Sequence, residues 1–410
     1  DTGDKEWIEA TVTIDGTTFE RVGLRLKGNS SLAGLGGAGA IGGVPGRTPA
    51  ETGDTGDTDT GPAGGMVEFG GASADEPENL PWLIRLDEFV EDQTYQGYED
   101  FVVRSNNTET SLNEAVTLAL LSEAGLASQD AIATRFSVND SADVLRLVVE
   151  HPDDDEWYET SFDGEGALYK AESTGDWSYR GDDPASYDEV FDQEGGSDVA
   201  DLTPLIEFLD FVNNSDDATF AAELGDHLDV DAFATYLAMM ELVGNTDDID
   251  GPGNNSYLWW DADTGRFTVV PWDMNLALGS GMGFPGGQGG APVGLPDGVE
   301  PPAGGFPGGL PGGTLPDGAE LPDFGDLPGG GGFGGRSNPL VERFLADEGF
   351  NARYETRLAE LTDELVASGA AESVLAEWVD LLQTQAGDLV SRETIESEAA
   401  TIRDFLGNAD

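Results

Sequence analysis

The chain has 410 residues, of which 81 are acidic and 18 basic, so its formal net charge is −63 at neutral pH. That balance argues against a protein that grips nucleic-acid phosphates with a basic surface. Like charges at this density repel one another in dilute buffer, whereas molar salt shortens the Debye length to about 3 Å, so we expect a halophilic protein. With 38% apolar residues, the chain can still form a packed core.

Residue counts narrow the chemistry further. The chain has no cysteine, which excludes disulfides, cysteine nucleophiles and cysteine-bound zinc. Its two histidines, His151 and His227, have no partners at metal-ligand spacing. No stretch approaches the roughly 18 apolar residues of a membrane span. Because the chain starts at Asp1 without a methionine, we expect an extracellular or surface-attached protein whose signal has been removed.

Two low-complexity segments interrupt an otherwise globular pattern. They cover residues 33–79 and 281–335, and the second holds 22 glycines and 10 prolines. Such compositions cannot bury enough apolar surface to offset the entropy cost of ordering. The sequence therefore predicts two disordered insertions within one continuing fold.

The first 175 residues or so predict an antiparallel sheet with one helix. Alternating apolar residues on both sides of Asp15-Gly16 indicate a hairpin over residues 7–26. Ser111 and Glu114 form a capping-box pattern, and an apolar stripe then runs to Gly125, which is typical of a helix. Further strands are predicted at residues 82–86, 101–104, 132–138, 145–150 and 167–170.

From residue 176 to 410 the pattern turns helical. Apolar residues recur with helical periodicity over residues 202–212, 218–228, 230–243 and 339–406, and a hairpin lies at 257–260 and 266–270. The third helix has Asp229 or Asp231 available as its N-cap. The sequence thus predicts an α+β protein with an N-terminal sheet lobe (1–175) and a helical C-terminal lobe (176–410).

The most informative stretch is the loop and hairpin at residues 245–275. A helix ends in a polar loop that carries Asp250, Asn255 lies five residues further on, and the hairpin returns the chain to Asp273. Kinase-type phosphoryl-transfer sites have this order: one Asp serves the acceptor hydroxyl, an Asn holds a metal ion, and a second Asp bridges metal to phosphates. Ligands that are all oxygen suit Mg²⁺ or Mn²⁺.

Five motifs resemble those of the CotH family, the spore-coat kinases. They are Arg25–Ser31 (Arg-Leu-Lys-Gly-Asn-Ser-Ser), Asn106-Asn107, Leu168–Lys170, Asn254–Leu258 and Pro271–Asp273, and the resemblance runs from about Glu6 to Val366. It implies an atypical protein-kinase-like two-lobe fold, here in a haloarchaeal-type acidic member. It also implies an enzyme that uses ATP and Mg²⁺ or Mn²⁺ to phosphorylate Ser or Thr of a protein substrate.

The resemblance also implies roles for single residues. Asp250 takes the place of the catalytic aspartate, and Asn255 and Asp273 take the places of the metal ligands. ATP is expected in the cleft, with Mg²⁺ or Mn²⁺ between Asn255, Asp273 and the phosphates. The residues expected to bind it are Lys27, Arg85, Glu114 and Lys170.

The chain departs from the family pattern at three positions. Arg85 stands where the family commonly has lysine, and arginine pairs with phosphate differently. Asn113 stands where an arginine often precedes the helix glutamate, and Asn275 stands in place of a second aspartate. These departures leave an alternative open: a catalytically weak or inactive cell-surface protein with a structural or cation-binding role. In either case we expect a monomer with no nucleic-acid partner.

Overall fold

The computed structural model describes residues 6–28, 75–172, 175–251, 254–280 and 338–408. Most of the first low-complexity segment, all of the second and Asn29–Ser31 of the first motif lie outside these ranges. The predictions made for them therefore stay predictions. Within the described ranges no helix is long and apolar enough to cross a membrane.

The described chain is a mixed α+β protein, which confirms the coarse fold class. Its strands are β1 (Ile8–Ile14), β2 (Thr17–Leu26), β3 (Trp82–Arg85), β4 (Asp100–Val103), β5 (Ala131–Phe136), β6 (Val144–Glu150), β7 (Gly166–Ala171), β8 (Phe191–Gly195), β9 (Ser256–Asp261) and β10 (Arg266–Pro271). Its α-helices are α1 (Leu112–Glu123), α2 (Asp155–Ser161), α3 (Thr203–Asn214), α4 (Asp217–His227), α5 (Val230–Val243), α6 (Pro339–Ala346), α7 (Glu348–Leu361), α8 (Ala370–Gln385) and α9 (Arg392–Leu406).

The chain divides into two compact units. Residues 1–111, 129–160 and 379–398 form the first, and residues 112–128, 161–378 and 399–410 form the second. This division differs from the expected boundary at residue 175, because α1 and β7 belong to the second unit. The reason is packing between segments that are far apart in the chain. Helix α1 contacts the short turn Met274–Leu276, and β7 pairs with β9.

The first unit contains a six-stranded antiparallel sheet in the order β1-β2-β3-β4-β6-β5. One face carries an apolar cluster that includes Phe19, Val22 and Ile84. Side chains alternate between the faces of a strand, so Arg85, next to Ile84, lies on the opposite face. Antiparallel pairing sets Arg85 directly opposite Asp100. The sheet thus separates an apolar face from one that carries charged groups.

The second unit contains a four-stranded antiparallel sheet in the order β10-β9-β7-β8. Helix α5 packs against α7 and β10, and its N-cap is Asp229, which accepts a hydrogen bond from the Ala232 N–H at 3.0 Å. The helix ends at Gly244 with φ of 63°, and a Cβ there would lie 2.5 Å from the Phe405 ring. The positive φ and the close ring favour glycine at this position, where the helix ends and the loop of residues 245–255 begins.

The structure adds two elements that the sequence analysis missed, α2 and β8. Both are short and rich in acidic residues, so neither shows the apolar periodicity from which the other elements were predicted.

The C-terminal helical stretch is also interrupted, by one π-helical segment over Thr362–Ala367. Ser111 has φ of 52°, whereas an N-cap residue usually has extended backbone.

Candidate active site

Asp248 organises the loop that follows α5. Its carbonyl oxygen accepts hydrogen bonds from the N–H groups of Gly251 (3.2 Å) and Asn255 (3.1 Å). Its side-chain Oδ1 accepts a third from the N–H of Asp250 (3.3 Å). One buried aspartate therefore fixes the spacing between the two predicted site residues of this loop.

The environment of Asp248 changes its protonation. Burial raises the pKa of Asp248 to about 8, and the hydrogen bond and like charge of Asp250 act in the same direction. Burial also raises the pKa of Tyr236, and the aspartates of this loop, Asp248 first among them, act in the same direction. The Tyr236 hydroxyl accepts a hydrogen bond from the Ile249 N–H at 3.1 Å. At neutral pH Asp248 therefore keeps its proton and can donate a hydrogen bond to the half-buried side chain of Asp250.

Two asparagines fix the end of this loop, one to the segment that follows β7 and the other to the loop itself. Asn254 is buried, has φ of 51°, and donates from Nδ2 to the carbonyl oxygens of Glu172 (2.7 Å) and Gly175 (3.0 Å). Asn255 donates from Nδ2 to the carbonyl oxygen of Asp247 at 3.0 Å. Because the amide nitrogen of Asn255 is used in this way, its amide oxygen is the atom suited to a cation.

The β9–β10 hairpin brings Asp273 to the same end of the sheet as Asn255. Ser256 at the start of β9 pairs with Pro271 at the end of β10, so Asn255 precedes one strand and Asp273 closely follows the other. Asp273 has φ of 60°, an uncommon backbone for a residue other than glycine, and such strain clusters at functional sites. The structure thus places the two predicted metal ligands at the same end of this hairpin.

Two predicted ATP-binding residues also belong to the second unit. Lys170 on β7 lies opposite Tyr257 on β9, with its ammonium 5.7 Å from the Tyr257 ring centre and 3.9 Å from a carboxylate oxygen of Glu172. Glu114 lies in the first turn of α1 and is buried. Lys170 is therefore one strand away from the hairpin end that carries Asn255.

The other two predicted ATP-binding residues, Lys27 and Arg85, lie in the first unit. Arg85 donates two hydrogen bonds to Asp100, Nε to Oδ1 at 2.8 Å and the terminal nitrogen to Oδ2 at 2.7 Å. This contact raises the pKa of Arg85 above its usual value. Burial would raise the pKa of Asp100, but the hydrogen bonds from Arg85 and His151 outweigh it and hold that pKa well below its usual range. The Lys27 ammonium hydrogen-bonds to Nε2 of His151.

The donor atoms suit a cation that is shared with a nucleotide. In the described part of the chain, no three or more His, Cys, Asp or Glu side chains are grouped as a metal site. Asn255 and Asp273 offer one amide and one carboxylate oxygen, and Mg²⁺ is usually held by one or two carboxylates together with substrate phosphates. The residues present therefore fit Mg²⁺ or Mn²⁺ bound together with phosphate oxygens.

Three residues that contact the predicted site residues were not predicted from the sequence: Asp100, His151 and Asp248. The sequence does not single out Asp248, because an aspartate in a loop of so acidic a chain is usually solvated. Asp100 and His151 are 51 residues apart and meet only through the pairing of β4 with β6. One signal was available: His151 is one of only two histidines and directly follows an apolar strand.

Together the fold and the site define a class, a mixed α+β protein with an acidic loop–hairpin site in its second unit. Residues 67–406 match the family described as CotH kinase protein, and the chain belongs to that family. Over 196 residues it is 23% identical to inner spore coat protein H of Bacillus subtilis (strain 168), a match that covers 47% of this chain and 53% of the relative. The chain thus spans about half the length of the curated relative it matches.

Proposed function

We propose that this chain is a protein kinase of the CotH type that transfers the γ-phosphate of ATP to Ser or Thr of a protein substrate. Family membership supports the proposal, and one structural observation carries it. The β9–β10 register places Asn255 and Asp273 at one end of a hairpin, and Asp248 joins the loop of Asp250 to that same end.

Each residue of this set has a role that its chemistry allows. Asp250 orients the acceptor hydroxyl and takes its proton, and the buried Asp248 keeps the Asp250 backbone in place. Asn255 and Asp273 would hold Mg²⁺ or Mn²⁺, which when bound neutralises charge on the phosphates. Lys27, Arg85 and Lys170 supply positive charge for the triphosphate, and Glu114 orients one of these cations.

The setting of the reaction belongs to the same proposal. We place the protein outside the cell or on its surface, in an environment of high salt. The net charge of −63 supports this placement, since only concentrated counterions screen such a surface. The acceptor would then be a protein of the same compartment.

A second function is favoured by one contact, the bidentate pair of Arg85 with Asp100. An arginine that already uses two of its donors on a carboxylate is a weaker phosphate ligand than a lysine at the same position. A surface protein of structural or cation-binding function, with little or no activity, is consistent with that arrangement.

One experiment separates the two functions. The protein is incubated in multimolar KCl with γ-labelled ATP, Mn²⁺ and a generic acceptor protein, and ATP·Mn²⁺ binding is measured by calorimetry in the same buffer. The proposal expects binding and label transfer, both lost when EDTA removes the metal ion. Binding without transfer would favour the weak or inactive form, and the absence of both would reject the kinase.

A further inference from the structure

A row of charged and polar side chains lies on the charged side of the six-stranded sheet, with buried His151 at its centre. Arg85 donates to Asp100, Asp100 accepts from Nδ1 of His151 at 3.0 Å, and Nε2 of His151 contacts the Lys27 ammonium. A fourth group, Asp153, places Oδ2 3.1 Å from the same Nε2. The groups that contact the imidazole thus come from β4, from the residue following Leu26 of β2, and from the segment before α2, and Arg85 of β3 lies behind Asp100.

These contacts fix which imidazole nitrogen carries the proton. Asp100 stays ionised because Arg85 and His151 stabilise its charge, so it can only accept. Nδ1 of His151 must then be the donor, and in the neutral ring Nε2 presents a lone pair. That lone pair is what the Lys27 ammonium needs, since an ammonium group only donates.

Asp153 gives the ring a second partner at the same nitrogen. If His151 gains a second proton, Nε2 becomes a donor, and it would then bind the Asp153 carboxylate and repel Lys27. At Nε2, the neutral ring therefore favours the contact with Lys27, and the charged ring favours the contact with Asp153. Complete burial lowers the pKa of His151, although the two carboxylates oppose that effect, so the neutral ring prevails at neutral pH.

We propose that neutral His151 is a positioning residue that holds the Lys27 ammonium ready for the phosphates of ATP, with Asp100 and Arg85 fixing its tautomer. The inference rests on the proposed kinase function, because it presumes that Lys27 contacts phosphate. A lysine side chain loses rotamer freedom when it is held in place, which costs free energy. Holding Lys27 before ATP arrives removes that cost from binding. Arg85 in this arrangement supports the site through Asp100 and His151.

The first test uses the ligand-free protein, so it does not depend on activity. The chain has two histidines and three lysines, so ¹⁵N spectra of selectively labelled protein can be assigned with few variants. We expect His151 to carry its proton on Nδ1 at neutral pH and the Lys27 signal to shift when His151→Gln replaces the ring. A proton on Nε2, or a Lys27 signal unchanged in that variant, overturns the proposal.

The second test measures the affinity for ATP·Mn²⁺ as a function of pH in parent, His151→Leu, His151→Gln and the matched control His227→Gln. Gln retains an acceptor and Leu does not. We expect Leu to weaken binding about tenfold, as for loss of a charged hydrogen bond, and Gln to weaken it much less. Parent and His227→Gln should bind more weakly as falling pH protonates His151, whereas His151→Gln should lack that step.

The outcomes distinguish this inference from the proposed function. If the parent binds no ATP·Mn²⁺ at any pH, the proposed kinase function is wrong. The role assigned to Lys27 is then wrong too, whichever tautomer of His151 the spectra show. If the parent binds ATP but all variants bind equally with the same pH profile, only the role of His151 fails. Should His151→Leu not fold, the parent spectra and the pH profile of His151→Gln still decide.

Discussion

The side-chain amide of Asn113 donates a hydrogen bond to the carbonyl oxygen of Asn275, 2.8 Å away. These are two of the positions at which the chain departs from its family pattern, where arginine and aspartate are common. The two departures are therefore neighbours in the fold, joined by the Asn113 side chain and the Asn275 backbone. Because Asn275 follows Asp273 by two residues, this contact holds the turn that carries the proposed metal ligand Asp273.

We predict that Asn113→Ala destabilises the protein and weakens the site. Asn113 is buried, and its Nδ2 also lies 2.6 Å from the Ser280 hydroxyl. Removing this buried donor loses its hydrogen bonds to Asn275 and Ser280 and should lower the free energy of unfolding by about 1–3 kcal/mol. Affinity for ATP·Mn²⁺ should fall as the Asp273 turn loosens. Urea unfolding and calorimetric titration in molar salt measure the two effects.

The matched control is Asn214→Ala. Asn214 is exposed at the end of α3, where its Nδ2 contacts Asp210 at 2.6 Å. Exposed substitutions usually change stability by no more than about 0.5 kcal/mol. Equal stabilities of the two variants would show that the Asn113 contact does not hold the turn.

A second prediction concerns pH and Asp248. The folded pKa of Asp248, about 8, exceeds its ordinary value of 3.8, so between these values the folded state binds a proton that the unfolded state lacks. The contribution of Asp248 to the free energy of unfolding must therefore fall as the pH rises from about 4 to about 8. Asp248→Asn does not titrate and should lose this decline. The free energy of unfolding of Asp248→Asn minus that of the parent should therefore be larger near pH 9 than near pH 5.

Urea unfolding at fixed molar salt, near pH 5, 7 and 9, measures the difference between variant and parent. Asp263→Asn, in the exposed turn between β9 and β10, is the control for loss of one aspartate from the same unit. A pH dependence that is the same in Asp248→Asn, Asp263→Asn and the parent would mean that Asp248 ionises freely in the folded protein.

The parts of the fold that the sequence predicted well are those set by local chemistry. Alternation on both sides of Asp15-Gly16 identifies the first hairpin, and Asp261–Gly265 identifies the last, where Asp261 accepts hydrogen bonds from the two N–H groups that follow Ala262. The proximity of Asn255 and Asp273 could be predicted for the same reason, since one short hairpin brings them to the same end, whereas Asp250 is placed by its contact with Asp248.

The rest depends on contacts that no local pattern contains. The Asp100–His151 contact requires the register of β4 against β6, and register is set by which faces of distant strands are buried together. Likewise, three aspartates in one loop look alike until burial distinguishes Asp248 from Asp247 and Asp250. The expected boundary at residue 175 differed from the compact units because β7 pairs with β9, which lies about 90 residues further along the chain.

The charge of the chain leads to a third prediction. We expect cooperative folding in molar KCl or NaCl and loss of structure in dilute buffer, where the charge of −63 is unscreened. Exposed pairs such as Arg21–Glu9 contribute too little to offset this repulsion. Circular dichroism between about 3 M and 0.05 M salt measures the effect, with sucrose of equal osmolality as the uncharged control. Spectra unchanged over that range would contradict it.

The last prediction separates the two aspartates of the proposed mechanism. If Asp273 holds the metal ion, Asp273→Asn should abolish metal-dependent ATP binding, because the triphosphate and its cation lose a compensating carboxylate. If Asp250 serves the acceptor hydroxyl, Asp250→Asn should leave binding largely intact and lower phosphoryl transfer by about two or more orders of magnitude. Calorimetric titration with ATP and Mn²⁺ and transfer of labelled phosphate measure the two effects, with Asp263→Asn as the control. Small and equal effects from both substitutions would reject the kinase mechanism and favour the surface protein. Loss of binding in the Asp250 variant alone would mean that the two aspartates have exchanged roles.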